Sequence, residues 1–248
     1  FAMSGFRLGY VAAPKEHIKN IREIWNYGVN VTVDYMRSST KNPFLIQNLA
    51  NTDDGTVNNL GYTVVTASGC CVGDYSLTNS GKTPVTEVMS ISVSKSYDNV
   101  DLYAGYTHMN AEDVHPMTSS VAYTNFNEAL VTTNKMDPDV ARSSWEIEDR
   151  FVAQMIWSVT DKTNLSLYWS ANTGNPYSLS AYTGWQGFGY SPGWGGEDFP
   201  FVPVYIPLLD DPNVSFASAD LEAAMNAWID ENGYERGKIL ERNSLTSE

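Results

Sequence analysis

Cysteine is almost absent from this chain: Cys70 and Cys71 are the only two, adjacent and followed by Val72 and Gly73. A zinc centre needs further Cys or His at ligand spacing, and none lies near them. The pair is left to a vicinal disulfide or to partners elsewhere. Long apolar runs are missing too. None approaches the roughly 18 residues that a membrane-crossing helix requires, which excludes insertion by helices. Charge is sparse, at 18% of residues, and basic charge more so, with 15 Lys and Arg against 29 Asp and Glu. A net charge of −14 argues against nucleic acid as a partner, because phosphate binding needs clustered cations. Gly-rich phosphate loops, His-Glu-x-x-His and Gly-x-Ser-x-Gly are all absent. His17, His108 and His115 are too scattered to suggest a site, and His108, at a strand end, is assigned a hydrogen-bonding role. The chain is therefore expected not to be an enzyme and to carry no cofactor. It opens on Phe-Ala-Met-Ser-Gly with no initiator Met or signal peptide, and is expected to be a fragment or mature segment.

What is present favours strands. The 248 residues could bury a domain core, yet 12% are aromatic and Ser, Thr, Asn and Gly are frequent, a mixture poor for helices. Five segments alternate at period two: Tyr27–Tyr35, Met89–Tyr97, Val100–His108, Phe151–Val159 and Asn164–Ala171. In the second, Met89, Ile91, Val93 and Tyr97 oppose a row of serines; in the last, Leu165, Leu167, Trp169 and Ala171 oppose Ser166, Tyr168 and Ser170. Connections alternate in length. Asp98-Asn99 and the residues around Asp161-Lys162 make tight turns, whereas Arg37–Glu87, Met109–Asp149 and Asn172 to about Leu240 are long. Short turns on one side and long loops on the other characterise outer-membrane barrels, and a soluble sandwich has no reason to alternate this way. The acids concentrate in the long connections: seven against two bases from Asn110 to Glu148, nine against two from Asn172 to Leu240. The expected fold is all-β, an antiparallel transmembrane β-barrel fragment. It has about five to six strands in an open curved sheet, long extracellular loops and a short loop helix.

That helix is read from Leu221, Ala224, Met225, Trp228 and Ile229, with Ser218 or Asp220 as cap and Gly233 as stop, its stripe packed against its own loop. Upstream, the aromatics Tyr182, Trp185, Tyr190 and Trp194 could stack on a ligand, or pack the loop onto itself. Glu197-Asp198 and Asp210-Asp211 are weighed as calcium carboxylates, although Asp-Asp-Pro-Asn reads more simply as a turn. Glu146, Glu148 and Asp149 are weighed as a glycosidase-like carboxylate group.

Several stretches resemble TonB-dependent outer-membrane receptors of the Oar-like kind. They are Asp113–Phe126 (DVHPMTSSVAYTNF), Asn172–Ser178 (NTGNPYS), Val204–Val214 (VYIPLLDDPNV) and Arg236–Ser244 (RGKILERNS), within a match running from about residue 25 to 247. The resemblance implies residence in the bacterial outer membrane, contact with its lipid, and uptake of an unidentified ligand. It also implies a plug and a TonB-engaging segment in the parent protein. Residues 1–24 depart from this pattern and form an atypical segment, foreign or helical. Ser4–Tyr10 (SGFRLGY) resembles fold-type I aminotransferases, in which Arg7 would hold the phosphate of pyridoxal phosphate; the Schiff-base lysine that should precede the motif is not in the chain. Two alternatives to the transporter are therefore kept: a secreted all-β binding module using the aromatic loop, and a remnant of such an aminotransferase.

Overall fold

The structure, a computed structural model, describes residues 28–67, 74–127, 129–132, 134–182 and 201–246. Every period-two segment is a strand over its described residues. β1 (Val29–Ser39), β6 (Val85–Ser96), β7 (Val100–Asp113), β9 (Asp149–Thr160) and β10 (Thr163–Asn172) form one sheet in the order β1-β6-β7-β9-β10. A two-residue strand, β8 (Ala141–Arg142), pairs with the end of β7 and makes the sheet six-stranded. Among the described residues the sheet is open, with β1 and β10 at its edges.

The turns form where the sequence places Asp and Asn between apolar runs. Tyr97 N–H donates to Val100 O at 2.7 Å around Asp98-Asn99, and Thr160 faces Thr163 across Asp161-Lys162. β7 with β9, and β9 with β10, pair antiparallel. Beyond the β1 end, Thr40 N–H donates to Pro84 O and Asn42 N–H to Lys82 O, both at 3.1 Å. One index rises as the other falls, so this approach is antiparallel as well.

The chain divides into two compact units. Among the described residues one comprises 28–35, Val88–His108 and Asp149–Asn172, which are the sheet segments with both tight turns. The other comprises Met36–Glu87, Met109–Glu148 and Thr173–Glu248, the long connections.

These connections are not structureless. Among its described residues the second unit holds five two-stranded ladders: β2 (Phe44–Asn48) with β5 (Tyr75–Asn79), β3 (Asn51–Val57) with β4 (Thr63–Ala67), β11 (Pro176–Tyr177) with β16 (Leu245–Thr246), β12 (Ser180–Tyr182) with β13 (Phe201–Pro203), and β14 (Tyr205–Ile206) with β15 (Lys238–Ile239). Two helices accompany them, α1 (Ala122–Asn127) and α2 (Ala219–Asn232). Ile46, Tyr62, Val65, Phe126 and Val202 form a buried core drawn from all three connections. Tyr62 donates its hydroxyl to Pro203 O, and burial pushes the pKa of that hydroxyl up.

α2 begins and ends as its sequence requires. Ser218 Oγ accepts from Leu221 N–H at 3.2 Å, and Gly233 takes a left-handed φ of 68° that closes the helix. Its stripe packs only in its second half: Ile229 is buried and Trp228 stacks on Tyr234 at 4.9 Å, whereas Leu221 stays exposed. Among the described residues no helix is long and apolar enough to cross a membrane.

Candidate functional site

Because side chains alternate along a strand, pairing register decides whether apolar residues on neighbouring strands meet. In the sheet unit they do. Val100 lies beside Trp157 and Leu165; Leu102 beside Met155 and Leu167; Ala104 beside Ala153 and Trp169; Tyr106 beside Phe151 and Ala171. These four rows make one face continuously apolar over three strands. The other face carries Asp101, Ile156 and Ser166 in one row, Tyr103, Gln154 and Tyr168 in the next, and Thr107, Arg150 and Asn172 at the far end.

The apolar face is open. Leu167 is 54% exposed, Trp169 58% and Phe151 48%. In β6 the usual arrangement is inverted: Met89, Ile91 and Val93 are exposed, while Ser90, Ser92 and Ser94 between them are half-buried. β1 continues the trend, with Val29, Val31, Val33 and Tyr35 all more than half exposed. A sheet shaped by water alone turns such residues inward, and exposed apolar patches this extensive mark an interaction surface.

Polar groups bound this face at both ends. Toward the long connections, Tyr106 Oη donates to Asp149 Oδ1 at 2.5 Å, and His108 Nδ1 lies 3.0 Å from the same oxygen. His108 thus takes the hydrogen-bonding role expected of it. Toward the tight turns, Lys95 places its Nζ 4.9 Å from the centre of the Tyr97 ring. Between these ends an open trough of about 650 Å³ is lined by Val93, Leu102, Met155, Leu167 and Trp169 among others, with Lys95 its one charged residue.

In the connection unit three of the acids weighed for chemistry, Glu146, Glu148 and Asp211, are occupied by their own chain. Glu146 is fully buried; its Oε2 accepts from Ala111 N–H at 2.6 Å and its Oε1 from Arg142 Nε at 2.5 Å. Arg142 Nη2 also donates to Glu148 at 2.6 Å. A glycosidase needs carboxylates that a sugar can reach, and Glu146 is sealed. Asp211 accepts from Asn213 N–H at 3.0 Å, Leu208 N–H at 3.2 Å and Tyr205 Oη at 2.8 Å, forming a turn rather than an open cation cradle. The Asn213 amide, and after it the Tyr205 hydroxyl, hold its pKa below the usual carboxylate range.

Sequence reading did not find the polar core of this unit. Arg242 is buried and donates through Nη2 to Asp113 Oδ1 at 2.5 Å and to the carbonyls of Asp113 and Ala141. Asn243, at a left-handed φ of 57°, donates to Arg142 O and Ser144 Oγ. The available signal was Arg242-Asn243 itself, a cation and an amide in a segment otherwise read only through resemblance.

Of the proposed ligand-contacting aromatics, Tyr182 lies in β12 opposite Phe201. Trp185, Tyr190 and Trp194 lie outside the described residues, as do Arg7, the whole of 1–24, Cys70 and Cys71, and Glu197-Asp198. No family model, curated protein or solved structure matches this chain.

Proposed function

We propose that the sheet unit is part of the wall of an outer-membrane β-barrel, with its apolar face against lipid hydrocarbon, and that the chain serves a TonB-dependent transporter. One observation carries the reading: four in-register rows of apolar side chains, none of them buried and more than half of them exposed, share a face of an antiparallel sheet. In a bilayer every backbone group must be satisfied by neighbouring strands and the outward face must be apolar, and this sheet meets both conditions along β6, β7 and β9. The alternation of connection lengths supports it, with tight turns and long, structured connections following one another along the chain. The transporter class rests on the resemblance of the four quoted segments to Oar-like receptors. In that reading the TonB system acts through a plug and a periplasmic segment of the parent protein. The long connections serve as extracellular loops, where a transported ligand arrives, and the chain itself performs no catalysis.

The test is partitioning. Full-length chain refolded with phospholipid vesicles is expected to float with them and to resist carbonate extraction. A chain that stays monodisperse in buffer without detergent and does not float would defeat the transport reading and favour a secreted binding module.

A further inference from the structure

We propose that the trough on the apolar face is a binding site for one anionic phospholipid, its acyl chain in the apolar hollow and its phosphate at Lys95. The inference rests on the lipid-facing reading of this face and goes beyond it by assigning a selective site.

The argument starts from composition. Within the strand segments of the sheet unit this face presents apolar and aromatic residues, the His108–Asp149 pair at one end, and a single Lys or Arg, Lys95. A bare hydrocarbon contact gives no reason for a cation there. A lysine in that position extends its stem along apolar neighbours and carries its ammonium toward the polar boundary. Tyr97, two residues on and next to the Asp98-Asn99 turn, holds the ammonium over its ring. A ring face satisfies an ammonium only partly and leaves its N–H groups available to phosphate oxygens.

The hollow beside Lys95 is apolar and elongated across strands. Leu102, Met155 and Leu167 lie in one row and Ala104, Ala153 and Trp169 in the next. The two alanines lower the floor between larger neighbours, which is what makes a trough rather than a flat surface. Its volume of about 650 Å³ falls within the range of roughly 300–1,000 Å³ usual for sites that hold one small molecule. Charge complementarity selects the headgroup. With a net charge of −14 the chain repels anions generally, so an anionic lipid is drawn only where a local cation outweighs that field.

The test reads headgroup preference at the trough. Full-length chain is reconstituted in phosphatidylcholine vesicles containing a small, equal fraction of acyl-brominated phosphatidylglycerol or acyl-brominated phosphatidylcholine. Quenching of Trp157 and Trp169 is then measured, with the W157F/W169F double variant giving the background from the other tryptophans. Both brominated lipids should quench, and the anionic one should be enriched about fivefold, the equivalent of about 1 kcal/mol for one cation at an anionic headgroup. Lys95→Gln should remove the preference and leave quenching by the zwitterionic lipid, while Lys95→Arg should retain it. Inorganic phosphate in the buffer should not compete. Equal quenching by both lipids in the unaltered chain, or a preference that survives Lys95→Gln, overturns the site while leaving the lipid-facing reading intact. No quenching by either lipid overturns that reading as well.

Discussion

His115 shows how single residues set the pH range of the connection unit. Its Nδ1 accepts from Met117 N–H at 3.1 Å, and a backbone N–H can only donate, so the ring proton sits on Nε2, facing Asn125 O at 3.0 Å. Protonation would place a second N–H against the Met117 amide. Burial lowers its pKa, the Arg242 and Lys135 charges lower it further, and the Asn125 carbonyl and Asp113 oppose them. A histidine whose folded pKa is depressed contributes stability above its unfolded value, about 6.5, and that stability fades as pH falls below it. Amide exchange across 113–126, corrected for intrinsic rates, should therefore show severalfold more frequent opening at pH 5.5 than at pH 7.5. His115→Asn should remove that dependence, and an unchanged profile would refute the assignment. Glu146 tests a different quantity. Glu146→Ala strips a buried carboxylate from the Ala111 amide and from Arg142, which is partly exposed and keeps Glu148, so the cost is about 1–3 kcal/mol, that of a buried donor left unsatisfied. Denaturant unfolding followed by Tyr and Trp emission should register that loss, and Glu146→Gln, which keeps the acceptor for Ala111, should lose less.

At the scale of elements, legibility follows from how local the determinant is. The five sheet strands were readable because alternation such as Leu165, Leu167, Trp169 and Ala171 repeats within one segment, and α2 because Ser218 and Gly233 punctuate it. The two-residue strands were not. β11 exists because Pro176 and Tyr177 meet Thr246 and Leu245 from the far end of the chain, and two residues cannot display a period. α1, six residues long, has no stripe to read; it is fixed by Phe126 entering the core and by Asn125, which bonds Ser119 through its side chain. The buried Arg142–Glu146 and Arg242–Asp113 pairs were illegible for the same reason, since a charge carries no mark of its burial. Face assignment makes an element-level prediction. Leu167→Arg puts a guanidinium in the middle of the apolar band, whereas Ser166→Arg puts it on the opposite face. In lipid the first should destabilise by roughly 2–4 kcal/mol if the row lies near the bilayer midplane, and the second much less. Unfolding titrations in vesicles distinguish them, and equal effects would mean that the two faces do not differ in environment.

For the whole molecule, strand parity is the controlling feature. Direction alternates along β1-β6-β7-β9-β10, so the two edge strands run the same way. Five alternating strands cannot close on themselves with antiparallel pairing throughout, because the seam between β1 and β10 would be parallel. An all-antiparallel barrel containing this sheet needs an odd number of further strands, from elsewhere in the same protein or from a second copy. Until they are supplied, β1 and β10 each present a row of backbone groups, which in hydrocarbon costs several kcal/mol per group and in water invites edge-to-edge association. The apolar face acts in the same direction, since water penalises it and, among the described residues, no layer of the sheet unit covers it. The isolated 248-residue chain should therefore associate in buffer in a concentration-dependent way, giving a broad distribution in sedimentation velocity. Replacing Leu167 and Trp169 with serine should reduce the association without abolishing it, because the open edges remain. A monodisperse monomer with one cooperative melting transition would mean that this sheet tolerates both its edges and its face in water, and would remove the physical reason for placing it in a membrane.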